Sequence, residues 1–344
     1  LVGGPVGMAV GALAGAGAGG LAGKKIDLGF SEQFLDGLKQ YLKPNTSALI
    51  VLVEHDYYAQ LSDVIAEEEG VFFRQALTDK LVEELLTARG SSDPDTEAFN
   101  GAVNFLMLKV QDRAIAATAK TAQVFLGTRI QCTQCHDHPF NSSTPENDWS
   151  QAQFWGLNAY FRQTVALRRF EPGSRRVDHG ELADQDFAGE GNTPEDAEVY
   201  YEQRNGILRA TYPTFLDGTP LEKRSGYLED VFLREELSKQ IRQSPLLEQA
   251  LVNRLWAYFL GYGFNTTIDD FGPQNPQTHP ELLESLARAT RENGFDLRAL
   301  MKWIVLSNPY ALSIQGGRGR NQDDPSLEQP PHFSRFYLRQ MRPE

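Results

Sequence analysis

One stretch, Gln131-Cys132-Thr133-Gln134-Cys135-His136-Asp137-His138-Pro139-Phe140, constrains this chain more than any other. It holds both cysteines of the 344 residues and two of the six histidines. With every thiol inside four positions, no disulfide framework can tie distant segments together. The fold therefore has to rest on buried apolar surface, and a chain with 41% apolar and 23% charged residues has enough for two or three domains. Locally, the backbone must present two sulfurs and an imidazole within one short turn.

That spacing has a chemical meaning. In C-x-x-C-H the two thiols can form thioethers with the vinyl groups of a haem, and the imidazole that follows reaches the iron. Cys132 and Cys135 would be the attachment points of haem c, and His136 the axial ligand. His138 cannot take the opposite face of the same iron, because a one-residue spacer does not carry the backbone around the porphyrin rim. A sixth ligand would come from elsewhere; His279, Met107, Met301 and Met341 are the candidates. Three other readings stay open. Cys132, Cys135, His136 and His138 would serve as a zinc-type site, structural or hydrolytic, although such sites usually draw a second ligand pair from far along the chain. The two thiols would serve as a redox couple, although a helix rather than a strand leads into them. Or the motif is purely structural, in an interaction protein of the cell surface.

Around the motif stand Gln123-Val124-Phe125-Leu126-Gly127-Thr128-Arg129-Ile130-Gln131, then Trp149 and Phe154-Trp155-Gly156-Leu157. This pattern resembles the planctomycete cytochrome-associated domain of unknown function. Leu251-Val252-Asn253-Arg254-Leu255-Trp256, Asp269-Asp270-Phe271-Gly272, His279-Pro280-Glu281-Leu282-Leu283 and Phe295-Asp296-Leu297-Arg298-Ala299-Leu300 resemble the second domain of unknown function that usually follows it. Together they cover about residues 82–344. The resemblance implies an exported protein of the cell envelope, periplasmic or membrane-associated, with a redox partner or envelope assembly proteins around it; it implies no activity. Two departures stand out: most of the longer stretch that precedes the motif in relatives is absent, and the second domain stops at Glu344 where relatives continue. The chain reads as a fragment or an unusual fusion.

Residues 1–25 are almost wholly Gly, Ala, Val and Leu up to Lys24-Lys25, with Gly3, Gly7, Gly11, Gly15 and Gly19 at four-residue intervals. Such a stripe permits close helix pairing in a bilayer, so membrane contact is expected through this segment. Residues 26–80 read as a small α/β domain of αβαβ order: a helix through Phe34, Leu38 and Leu42, a strand at Ser47–Val53, a helix at Tyr57–Glu69 and a strand at Val71-Phe72-Phe73. With its Lys43-Pro44-Asn45-Thr46-Ser47-Ala48-Leu49 turn, the region from Leu1 to about Lys80 resembles a bacterial glycine-zipper membrane-associated domain of unknown function. His55, beside Glu54 and Asp56, reads as part of a solvated turn.

The rest is expected to be mainly α. Domain 82–170 carries the motif, 171–211 reads as an acidic loop or linker, and 212–344 is a helical domain truncated at its C-terminus. Val82 to Arg89 continues a helix, Gly90-Ser91-Ser92-Asp93-Pro94 reads as a linker, and Asn104 to Ile130 as helices. Asp184, Asp186, Glu190, Glu195 and Asp196 lack a calcium-loop spacing and read as solvated charge. Thr278-His279-Pro280-Glu281 predicts a capping box, Gly294 a stop and Asp296 a cap. Arg254 with Asp269 or Asp270 predicts a half-buried ion pair tying a loop to a helix. A net charge of −13 argues against a nucleic-acid partner. Neither a nucleophile elbow, a phosphate loop nor a zinc-protease motif occurs, so enzyme activity is left open.

Overall fold

Seven α-helices and five strands are built between Thr78 and Val305 of a computed structural model, which describes residues 78–138, 149–186, 199–223, 225–314, 323, 325 and 330–338. The expectations for the glycine-rich segment 1–25, for the αβαβ pattern up to Phe73 and for His55, Glu190, Glu195, Asp196 and Met341 lie outside the described residues. Residues 77–344 pack as one unit.

Helix α1, Thr78–Thr87, buries Val82 and Leu86, four apart on one face. Where the sequence suggested a linker, Gly90–Ser91 is strand β1, paired antiparallel with Leu182 and Glu181. Asn104 to Ile130 is helical only in part. The 3-10 turns Gly101–Phe105 and Asp112–Ala114 precede α2, Ile115–Leu126, which stops at Gly127 in the left-handed region at φ 62°. A capping box, Ser150 with Gln153, opens α3, Gln151–Asn158.

Next come β2, Thr164–Phe170, and β3, Val177–Asp184, which with β1 form a three-stranded antiparallel sheet in the order β1-β3-β2. A second hairpin joins β4, Val199–Glu202, to β5, Leu208–Thr211. The stretch 171–211 therefore holds three strands where the sequence read as a loop, and the fold is mixed α/β with its helices gathered in the C-terminal half. The reason is visible in β3: only Leu182 is buried there, so Val-Asp-His-Gly-Glu-Leu-Ala-Asp carries no apolar alternation to betray a strand. Asp184 is likewise not solvated charge. Its carboxylate is fully buried and paired with the fully buried Arg234.

From Leu233 the chain is helical as expected: α4, Leu233–Gln243; α5, Pro245–Leu260; α6, Pro280–Glu292; and α7, Leu297–Val305. Helix α5 belongs to both cores, placing Leu247 among Phe154, Phe161, Leu237 and Ile241, and Val252 and Trp256 among Phe264, Leu283 and Leu300. Asp296 caps α7 by accepting from the Arg298 and Ala299 N–H groups. The capping box at Thr278 does not form. His279 takes the N-cap position without a side-chain bond, and the Thr278 hydroxyl donates instead to the Phe264 carbonyl. Among the described residues no helix is long and apolar enough to cross a membrane.

Asp323 organises the C-terminal tail. It is 4% exposed and accepts from the His332 and Ser334 N–H groups and from the Ser334 and Tyr337 hydroxyls. Burial pushes its carboxyl up, but these donors outweigh burial and hold it at about 2. Because the folded value lies below the ordinary carboxylate value near 4, this contribution is present above about pH 4 and is lost as pH falls through about 2. It amounts to roughly 2 kcal/mol. Acid titration of unfolding should therefore show a steeper loss between pH 4 and pH 2 in the native chain than in Asp323→Asn; parallel curves would exclude this role.

Candidate functional site

The cysteine motif is held on three sides. Beyond Gly127, Thr128 and Ile130 are buried, and the chain enters a 3-10 turn, Gln131–Gln134. Residues three apart eclipse in a 3-10 turn, so Cys132 and Cys135 fall on the same side, with the Cys135 N–H on the Cys132 carbonyl at 3.3 Å. Neither forms a disulfide; Cys132 is half-buried and Cys135 exposed. Between them Thr133 points inward, its hydroxyl donating to the Ile130 carbonyl at 2.6 Å. The Gln134 carbonyl accepts from the Trp155 indole at 3.1 Å and from the Gln151 amide at 3.2 Å. Thus α3 grips the turn through the Gln134 carbonyl, while Cys135 stays exposed.

His136 follows, half-buried, with Nδ1 2.6 Å from the Asp137 carbonyl. A carbonyl can only accept, so Nδ1 is the donor, and in the neutral ring Nε2 is the nitrogen that carries the lone pair. The Asp137 carboxylate accepts from the Gln151 N–H at 2.8 Å, at the first turn of α3, where a negative charge is favoured. His138 is 8% exposed, and its N–H bonds the Trp149 carbonyl at 2.9 Å. Its side chain lies close to Asp270, whose carboxyl is pushed up by burial against the opposing charges of Arg129 and His138. The Trp149 indole donates to the Phe271 carbonyl, and the Phe271 N–H to the Gly127 carbonyl. The Asp-Asp-Phe-Gly loop therefore closes one end of the motif.

On the other side an aromatic stack adjoins the turn. The Trp155 ring lies parallel to Tyr201, centroids 6.0 Å apart at 8°, and the Arg113 guanidinium sits 4.6 Å over the same indole. Arg113 is in the middle of three consecutive left-handed residues, Asp112, Arg113 and Ala114, at φ 50°, 58° and 56°. Each costs about 1–2 kcal/mol for a side chain with a Cβ. The Asn158 amide holds this segment by donating to the Arg113 carbonyl and to the Thr118 hydroxyl. Sequence reading missed Arg113, because no Gly or Asn marks the strained turn; Phe154, Trp155, Tyr160 and Phe161 are all in the core.

The remaining candidates are scattered. His279 is half-buried at the start of α6, against the Phe333 ring, its pKa pushed down by burial and then by His332. Met107 is buried in the core beside Gly180, and Met301 is half-buried on α7. The four side chains Cys132, Cys135, His136 and His138 do not bring three ligand atoms within 4.8 Å of one another; among the described residues only Asp93, Asp178 and His179 do. The Arg254 ion pair is present as the sequence suggested, but with Asp269 rather than Asp270, at 2.6 Å. The same guanidinium donates to the Gln123 and Val124 carbonyls, so it also caps the end of α2. Arg254→Met should therefore loosen the approach to the motif and cost about 1–3 kcal/mol in denaturant unfolding, since two end carbonyls and a half-buried carboxylate lose their partner; an unchanged midpoint would rule this out.

Comparison with known families matches residues 73–166 to PSCyt2, a protein of unknown function (DUF1549), residues 233–344 to PSD1, a protein of unknown function (DUF1553), and residues 1–89 to DUF1269, a protein of unknown function. No curated protein and no solved structure matches the chain. The first two families are the planctomycete cytochrome-like pair expected from the residues around the motif and in the C-terminal helices.

Proposed function

We propose that this chain is an electron-transfer or redox accessory protein of an envelope assembly, holding haem c through Cys132, Cys135 and His136. One observation carries the reading: two thiols three residues apart at a single 3-10 turn, one half-buried and one exposed, followed by an imidazole whose Nδ1 is committed to a backbone carbonyl. The donor set suits the group, since thioether formation needs accessible sulfurs and axial ligation needs a lone pair on Nε2. Bound haem would supply one-electron chemistry at its iron. The chain's own residues would do the rest. Gln151 and Trp155 fix the turn through the Gln134 carbonyl, and the Asp137 carbonyl orients the ring of His136. The cytochrome-related name of the family matched at residues 73–166 favours the same reading.

The test is to mature the chain in a host with haem-attachment machinery and to record its spectrum under denaturing conditions. One equivalent of covalent haem is expected. Cys132→Ala and Cys135→Ala should each lower it by at least about tenfold, while His138→Gln should leave it in place, because His138 lies outside the C-x-x-C-H attachment spacing. A native chain that emerges with no covalent haem sinks the reading.

A further inference from the structure

We propose that the β4–β5 hairpin is the face on which an acidic redox protein docks, and that Tyr201 and Trp155 carry the electron from there to the motif; this rests on the haem reading above. The inward half of the route is continuous. Tyr201 stands on β4, its ring lies parallel to Trp155, and the Trp155 indole donates to the Gln134 carbonyl, between the two cysteines. Stacked rings and a hydrogen bond couple two sites more strongly than the same distance of loosely packed aliphatic chain. Arg113, held over Trp155 by a backbone in three successive unfavourable conformations, keeps the indole in that plane. Strain of this kind persists only where the surroundings enforce it, and it concentrates where geometry matters to function.

The outward half is an exposed, preformed surface. Arg209 lies directly opposite Tyr201 in the hairpin register. The turn between the strands is fixed by Gly206 at φ 80°, by the Gln203 N–H on the Ile207 carbonyl and by the Ile207 N–H on the Asn205 side chain. Every residue from Arg204 to Ala210 is exposed, with Ile207 at 47% and Leu208 at 63%. Two apolar side chains thus sit between two arginines, and Glu202 is the one acid of the hairpin. Arg204 and Arg209 outnumber Glu202 on this hairpin, a local positive charge that suits a negatively charged partner. A small apolar centre with a charged rim is the form of transient electron-transfer contacts, which bury little area and release quickly. The step moves one electron from the partner's reduced centre to the oxidised group at the motif; no bond forms or breaks and no proton is transferred.

The experiment uses the full chain carrying covalent haem in its oxidised state, mixed with an anionic reductant, the iron(II)–EDTA complex, or a cationic one, hexaammineruthenium(II), at low ionic strength. Arg204→Glu with Arg209→Glu should lower the ratio of anion to cation rate by about tenfold or more, and the difference should fade at about 0.5 M salt. The reduction potential should stay where it is. Tyr201→Leu should slow both reductants by about tenfold, and Tyr201→Phe, which keeps the ring, should restore both. Near-ultraviolet circular dichroism of the unloaded chain should lose the stacked-ring signal in Tyr201→Leu and keep it in Tyr201→Phe. An unchanged rate ratio in the double variant, or a Phe variant as slow as Leu, overturns this proposal and leaves the haem reading intact. A native chain with no covalent haem removes both.

Discussion

Arg234→Ala should cost about 3–5 kcal/mol of unfolding free energy, the largest single loss expected outside the site, because it strips the buried Asp184 carboxylate of its one fully buried partner. Both side chains of the pair are wholly buried. The guanidinium donates to Asp184 through Nε and Nη2, and through Nη1 to the Leu86 and Ala88 carbonyls at the end of α1. It therefore joins α4, β3 and α1 at one point. Burial pushes the Arg234 pKa down, Asp184 pushes it back up, and the guanidinium stays charged. Arg89 reaches the same carboxylate from the exposed side at 2.7 Å and cannot fill the space that Arg234 leaves. Urea unfolding of Arg234→Ala, Asp184→Ala and the double variant is the check. The double variant should recover part of the loss, since no buried charge is then stranded; strictly additive losses would show that the two groups do not act as a pair.

That junction could not be read from the sequence. Arg234 sits at the start of an amphipathic helix and Asp184 within an acidic stretch, 50 residues apart, and nothing local separates them from surface charges. The elements that were legible are those whose burial repeats along the chain. Helices α5, α6 and α7 carry long apolar periods with a proline, a glycine or a capping aspartate at their ends, and their positions follow from those signals. Strands β1 and β3 carry none, because each buries a single side chain and forms through backbone pairing alone. The same division runs through the candidate site. Cys132, Cys135 and His136 announce themselves by spacing, which is a local property. The partners that hold them, Gln151, Trp155, Arg113 and the Asp-Asp-Phe-Gly loop, come from three other segments and become neighbours only through tertiary packing. Asp137 takes part in that packing, as a bond to the first turn of α3 that no motif would assign.

Gly127→Ala should be the substitution in which fold and site fail together. Gly127 ends α2 at φ 62°, and a Cβ there would lie 2.9 Å from the Ala250 side chain on α5 and 2.9 Å from two atoms of the Phe271 ring. The left-handed backbone alone disfavours alanine by about 1–2 kcal/mol. Relieving the contacts would add about 1–3 kcal/mol, because neither the Ala250 methyl nor a ring at 4% exposure has a rotamer to retreat into. The displaced ring matters further, since the Phe271 N–H bonds the Gly127 carbonyl and its own carbonyl holds the Trp149 indole, next to the strand of backbone that carries His138. Pushing Phe271 aside therefore shifts both ends of the motif. The expected result is a loss of about 2–5 kcal/mol in denaturant unfolding, together with a severalfold fall in covalent haem at a temperature where the variant is still folded. Phe271→Leu in the Gly127→Ala background separates the two effects. A smaller side chain relieves the overlap without touching the left-handed backbone, so it should restore most of the haem and only part of the stability. Recovery of both in full would place the whole penalty in the contact, and recovery of neither would remove the loop from any part in holding the motif.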